Sequence, residues 1–138
     1  MSTYADATQR HVPLTVIIAG AVDWNDVEAI RTELAQLPAG SCVIHGDCAG
    51  ADALGGQIAR GLGLRVEAMD KDPLDEDSGT GTGWKRLNER MIARAPDLVL
   101  IFHHDFANAN GSRHLQELAR TRNIKVKVRQ DAYTSSEF

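Results

Sequence analysis

The stretch "VIHGDCAGADA", Val43–Ala53, runs from an apolar, β-branched segment through Gly46 and Gly50 to Asp52 and the start of a helical pattern. A strand that turns through glycine directly into a helix is half of a βαβ unit. Its neighbours repeat the arrangement. Upstream, "LTVIIAG" (Leu14–Gly20) reads as a buried strand. It is followed by "NDVEAIRTELAQL", where Val27, Ile30, Leu34 and Leu37 fall at spacings of three and four. That spacing predicts an amphipathic helix with Asn25 or Asp26 as N-cap, ended by Pro38-Ala39-Gly40.

Downstream, "AGADALGGQIARGLGL" predicts a second helix with Ala53, Leu54, Ile58 and Leu62 inward. Gly55 and Gly56 weaken a helix interior, so they point to close helix–sheet approach. Strands follow at Arg65–Met69, Pro96–Phe102 and Ile124–Val128, and helices at "WKRLNERMIARA" and at "SRHLQELARTRN", the latter capped by Ser112. The polar, acidic segment Asp70–Gly83 reads as a long loop.

Strict alternation of strand and helix predicts an α/β fold, a Rossmann-like three-layer sandwich around a five-stranded parallel sheet. The expected layout is a disordered N-terminal arm over 1–13, one domain over 14–129 and a tail over 130–138. No internal repeat or linker divides the 138 residues.

Composition narrows the function classes. The chain is 43% hydrophobic and 25% charged, with a formal net charge of -4. That balance gives no basic field for nucleic acid or an anionic membrane, and no apolar run reaches the length of a membrane span. The first residues lack the apolar stretch of a signal peptide. Cys42 and Cys48 are too few for a disulfide framework or a zinc cluster, so both read as reduced packing residues in a cytoplasmic protein. No cofactor or metal is expected.

Ligands of open parallel sheets sit beyond the carboxyl ends of the strands. Three glycine-bearing loops fall on that edge: Gly20–Asp23, Gly46–Asp52 and Asn108–Ser112. Each leads into a helix N-terminus, where unpaired N–H groups favour an anion. None matches a P-loop or the full G-x-G-x-x-G spacing, and turn chemistry alone is the competing reading. Asp52 is either a carboxylate favoured by the helix dipole or an acceptor for a sugar hydroxyl or base. Trp84 is either core or a face for stacking a base. His103 and His104 read as loop residues, one of them able to reach a ligand, and His45 as a satisfied, partly buried histidine. Arg86 and Arg90 are solvated unless they point at a phosphate.

"IIAGAVDWND", "VIHGDCAGADALGGQIARGLGLRVEAM", "LNERMIARAPDLVLIF" and "NGSRH…IKVKV" resemble, in this order, segments of the SLOG superfamily, and more narrowly its YspA-like or YpsA-related members. The resemblance covers roughly residues 14–128. "HGDCAGADALGGQIARGLG" is similar to a His-Gly-Gly-x-x-Gly-Ala-Asp segment, and Trp84, Asn88, Met91 and Asp97 carry a second match. It implies binding of a nucleotide or nucleotide-derived small molecule by a sensor or sequestering module. The residues it implicates together with the loops are Gly20, Asp23, Trp24, Gly46, Gly50, Asp52, Trp84, Asn88, Gly111, Ser112 and Arg113.

The chain departs from the family pattern at two loops. Gly20-Ala21-Val22 stands for Gly-Ser-Arg, and only Gly111-Ser112 remains of a Gly-Gly-x-Gly-Thr loop. Lonely Guy enzymes, relatives within that superfamily, cleave the N-glycosidic bond of nucleoside monophosphates with a glutamate where this chain has Leu115. The expectation is therefore a binding domain without robust catalysis. The alternatives are an N-glycosidic hydrolase or transferase using Asp52, Glu89 or Asp105, and a protein-interaction module with a vestigial site. A homodimer is expected through the helices Trp84–Arg94 and Ser112–Arg122. Its motive is the apolar set Trp84, Leu87, Met91 and Ile92, with Arg86 or Arg90 of one copy supplying the cation that Val22 cannot.

Overall fold

A computed structural model describes residues 12–71 and 83–130. Residues 1–11, most of the acidic loop (72–82) and residues 131–138 lie outside the described part, and so do the expectations made for them. The strands are β1 (Thr15–Gly20), β2 (Cys42–His45), β3 (Arg65–Ala68), β4 (Leu98–Phe102) and β5 (Lys125–Arg129). The helices are α1 (Val27–Leu34), α2 (Ala51–Gly61), α3 (Gly83–Ile92) and α4 (Asn110–Thr121), with a short 3-10 turn at Phe106–Asn108. All strand pairs are parallel, in the order β3-β2-β1-β4-β5. This is a Rossmann-like three-layer arrangement whose strand order reverses between β1 and β4.

Period-two alternation divides the sheet into two faces. Val16, Ile18, Val43, Leu98, Leu100 and Phe102 face α1 and α2. Ile17, Ile44, Val99 and Ile101 face α3 and α4. Gly55 lets α2 settle onto β1, since a Cβ there would lie 2.5 Å from Ile18 Cδ1. At Gly56 a Cβ would lie 2.6 Å from His45 Nε2.

The helix ends follow local chemistry. Asp26 caps α1, its carboxylate accepting from the Ala29 N–H at 3.1 Å. Residues in left-handed geometry close α3 (Ala95) and α4 (Asn123). The cap expected at Ser112 is not there: α4 begins at Asn110 after Ala109, and Ser112 turns inward from its first turn. α1 stops at Leu34, so Leu37 packs into the core from beyond the helix.

The charged anchor of the domain joins α1 to the edge strand. Buried Glu33 accepts from Lys127 Nζ at 3.0 Å and from Arg129 Nη1 at 3.0 Å. Arg94 pairs with Glu67 near the opposite edge. Leu87, Met91 and Ile92, offered above as a pairing surface, are buried against the chain's own sheet and α4. The large hydrophobics exposed among the described residues are Val12, Val22 and Leu62. No described helix is long and apolar enough to cross a membrane.

Candidate functional site

A cavity of about 110 Å³ opens at the carboxyl edge of the sheet on the α3–α4 side. Ala19 and Gly20 end β1 at its floor, and Gly46, Asp47 and Cys48 enter from the loop after β2. Lys71 follows β3, and Asp52 reaches in from the first turn of α2. Trp84, Leu87, Asn88 and Met91 of α3 and Gly111, Ser112 and Leu115 of α4 complete the lining. The side built by the loops after β2 and β3 and by Asp52 is acidic and polar; the α3–α4 side is mostly apolar, with Asn88 and Ser112 as its polar side chains.

The α4 wall offers donors. The first helical N–H with an acceptor is that of Arg113, to Ala109 O at 2.8 Å. Among the described residues the N–H groups of Gly111 and Ser112 have no acceptor. Ser112 is 9% exposed, lines the cavity, and its hydroxyl has no hydrogen-bond partner among those residues. Asn88 Nδ2 braces this turn by donating to Gly111 O at 3.0 Å. Its amide also meets His114 Nδ1 at 3.1 Å, and His114 packs edge-on against Trp84 at 5.4 Å. Burial lowers the His114 pKa, Glu89 opposes the shift and Lys85 adds to it.

The opposite wall carries Asp52, 6% exposed. Burial raises its pKa from the ordinary 3.8 to about 7. The nearby Cys48 N–H opposes the shift, the Asp47 charge adds to it, and the Gly46 N–H opposes it. Gly46 is glycine because of this carboxyl: a Cβ there would lie 2.9 Å from Asp52 Oδ2 and 3.3 Å from Leu87 Cδ2. Asp47 Oδ2 accepts from the Lys71 N–H at 3.0 Å, tying the loops after β2 and β3 together.

Seven of the eleven residues singled out in the sequence therefore meet around one cavity: Gly20, Gly46, Asp52, Trp84, Asn88, Gly111 and Ser112. The other four do not line it. Trp24 is 2% exposed and belongs to the α1-side core, 5.6 Å from Phe102, with its indole N–H donating to Asp26 O at 3.1 Å. Asp23 is exposed beside His104, with 3.4 Å between its Oδ1 and Nε2. Arg113 turns back to donate to Ala107 O at 3.0 Å. Gly50 has φ +69, and a Cβ there would sit 2.2 Å from Ala21 O. It welds the second loop to the first, which is turn chemistry.

Other expectations shift too. Cys48 is exposed and lines the cavity instead of packing, while Cys42 packs against the α3–α4 core. Burial raises the Cys48 thiol above its ordinary value, Asp52 and Asp47 raise it further, and Lys71 pulls the other way. A thiol so placed is a poor nucleophile at neutral pH. His45 Nδ1 donates to Gly46 O at 2.7 Å, but Nε2 is buried against Gly56 with no partner among the described residues, so the ring is only half satisfied there.

His104 stacks on Trp24 at 5.9 Å, and His103 Nδ1 accepts from the Asp105 N–H at 3.0 Å; neither lines the cavity. Burial lowers the His103 pKa, and so does neighbouring His104. Arg90 donates to Asp70 O at 2.7 Å. Of the three carboxylates considered for catalysis, Asp52 alone lines the cavity; Glu89 is exposed and Asp105 is held by Asn108.

Asp47, Cys48, Leu87 and Met91 figured in the sequence reading only as loop, packing or pairing residues, and Lys71 not at all; none was singled out as lining the site. Lys71 could have been found from the rule used for the glycine loops, because it follows the carboxyl end of a strand.

Fold and site together define the chain as a doubly wound α/β domain with a half-polar cavity at its strand-order reversal. Compared with models of known protein families and with curated proteins, the chain matches none.

Proposed function

We propose that the domain binds a phosphorylated, nucleotide-derived small molecule in the cavity at the carboxyl edge and acts as a sensor or sequestering module. One observation carries this reading. The first turn of α4 lines a cavity at the strand-order reversal with Gly111 and Ser112, whose N–H groups and hydroxyl have no partner among the described residues. Such a turn holds an anion with charge-assisted hydrogen bonds and a favourable dipole. The resemblance to SLOG proteins points to the same ligand class. Two free thiols suit a cytoplasmic setting.

A thermal-shift titration against the nucleoside monophosphates tests the reading. A ligand at one hundred times its Kd stabilises by about 2.7 kcal/mol. No shift with any of them at millimolar concentration refutes it.

A second reading, N-glycosidic hydrolysis or transfer, is supported by the buried Asp52 carboxyl, whose pKa of about 7 suits a general acid. Leu115, 1% exposed in the cavity wall, puts an aliphatic group where the resemblance leads one to expect a second carboxylate. Release of free base from nucleoside monophosphates at about 1 per second or faster would establish the enzyme.

A further inference from the structure

Asp52 is an unusual neighbour for an anion. Its carboxyl shares one small cavity with the unpaired N–H groups of α4, and little water reaches it. The loop after β2 adds a second carboxylate, Asp47, and the weakly acidic thiol of Cys48. The described part of the loop after β3 adds a cation, Lys71. α3 contributes Trp84, Leu87, Asn88 and Met91, α4 contributes Gly111, Ser112 and Leu115, and β1 contributes Ala19 and Gly20; none of these is charged. Among the described lining residues Lys71 offsets Asp47, so an ionised Asp52 leaves them with a net negative charge. A phosphate dianion seated at α4 would face that charge across a poorly solvated space, where repulsion is weakly screened.

We propose, on the reading that the cavity takes a phosphorylated ligand, that Asp52 is a carboxylic acid in the bound state and donates a hydrogen bond to the ligand, so that one proton enters with each anion. The Gly46 and Cys48 N–H groups lie close to the same carboxyl, and a neutral acid still has its own O–H to offer. The hydroxyl of Ser112 and the N–H groups of Gly111 and Ser112 supply the remaining donors. Asp52 is thereby a specificity residue: as a neutral acid it favours a ligand group that accepts, as a phosphate does.

Calorimetric titration of the full chain with ribose 5-phosphate tests this, in Tris and in HEPES at pH 8. The two buffers differ in ionisation enthalpy, so the difference in heat counts protons. Close to one proton is taken up per ligand bound. From pH 7.5 to 9 the affinity falls by about tenfold per pH unit. The ester's own second ionisation, near pH 6, is complete across that range and does not contribute.

Asp52→Asn, a neutral isostere, takes up no proton and binds with an affinity independent of pH over the same range. The proton count of the unsubstituted protein stands even if the variant folds poorly. Binding with no proton uptake, or a pH dependence that survives in Asp52→Asn, overturns the inference while leaving the anion site intact. Binding of ribose 5-phosphate at neither pH 6.5 nor pH 8 overturns the anion site and the inference with it.

Discussion

Asp52→Asn should make the free protein more stable at alkaline pH and progressively less so toward acid. The folded state raises the Asp52 pKa from the ordinary 3.8 to about 7, so the fold favours the neutral acid. Between those values the native state holds a proton that the unfolded chain has released. Stability therefore falls as pH rises from about 4 to 7, then levels. The full distance, at about 1.4 kcal/mol per pH unit, is about 4 kcal/mol. Between pH 5 and pH 8 the share lost is about 2–3 kcal/mol. Asparagine removes this dependence. Its amide meets the nearby N–H groups of Gly46 and Cys48 less favourably than a carboxyl does. That cost is the same at both pH values, so it drops out of the comparison. Urea unfolding of the two proteins at pH 5 and pH 8 gives four stabilities. The variant's advantage should grow by about 2–3 kcal/mol from the first pH to the second, or about 10 °C in melting temperature. Parallel pH profiles would mean that Asp52 is ionised and well solvated in the native state, and the argument from burial would be wrong.

Three further outcomes follow from the packing. Glu33→Gln leaves Lys127 and Arg129 facing a neutral amide; both cations are partly exposed, so the loss in urea unfolding should be about 2 kcal/mol, and a loss under about 0.5 kcal/mol would show that this cluster does not hold α1 to β5. Gly56→Ala drives a methyl group against His45 Nε2 and should destabilise by about 1–2 kcal/mol despite the better helix propensity; if His45→Ala does not relieve most of that cost, the contact is not its source. In Gly111→Ala the new Cβ meets Trp84 at 3.9 Å, an ordinary contact, so the free protein should melt unchanged, while any nucleotide-induced thermal shift is lost if the anion sits against this turn.

The fold was legible because the strands are short, β1, β2 and β4 being apolar runs, and each helix carries its own stripe, so the alternation could be read without tertiary information. The direction of the strands and the edge holding the loops then followed from chain connectivity. Side-chain destinations were less legible. Trp24 and Asp23 stand two and three residues before the cap of α1, and nothing local tells which will seal the core and which will meet His104. Gly46, Gly50 and Gly111 look alike in sequence, yet they serve three ends: room for a carboxyl, a positive φ that joins two loops, and an open approach to a helix turn. Leu87 and Met91 fitted an inward helical stripe, and a residue that faces both core and cavity has no signature of its own.

The stretch Val43–Ala53 now has a physical account that turns on one buried group. A carboxylate in the first turn of a helix normally needs no explanation, because the dipole and solvent hold it ionised. Asp52 is placed differently: its side chain is among the few buried polar ones, and it lies close to the N–H groups of the loop that precedes its own helix. Gly46 gives up its side chain to leave room for that carboxyl, and Gly50 adopts a left-handed bend to pin the loop behind it. Leu87 and Met91 then close the apolar side, which keeps water from stabilising the charge. A packing residue at position 52 would have made a cheaper and firmer junction, since burying an ionisable group costs stability. The chain carries that cost at the mouth of its cavity, facing a helix turn with donors to spare, and a group that can give or take a proton there is the feature that packing alone does not explain.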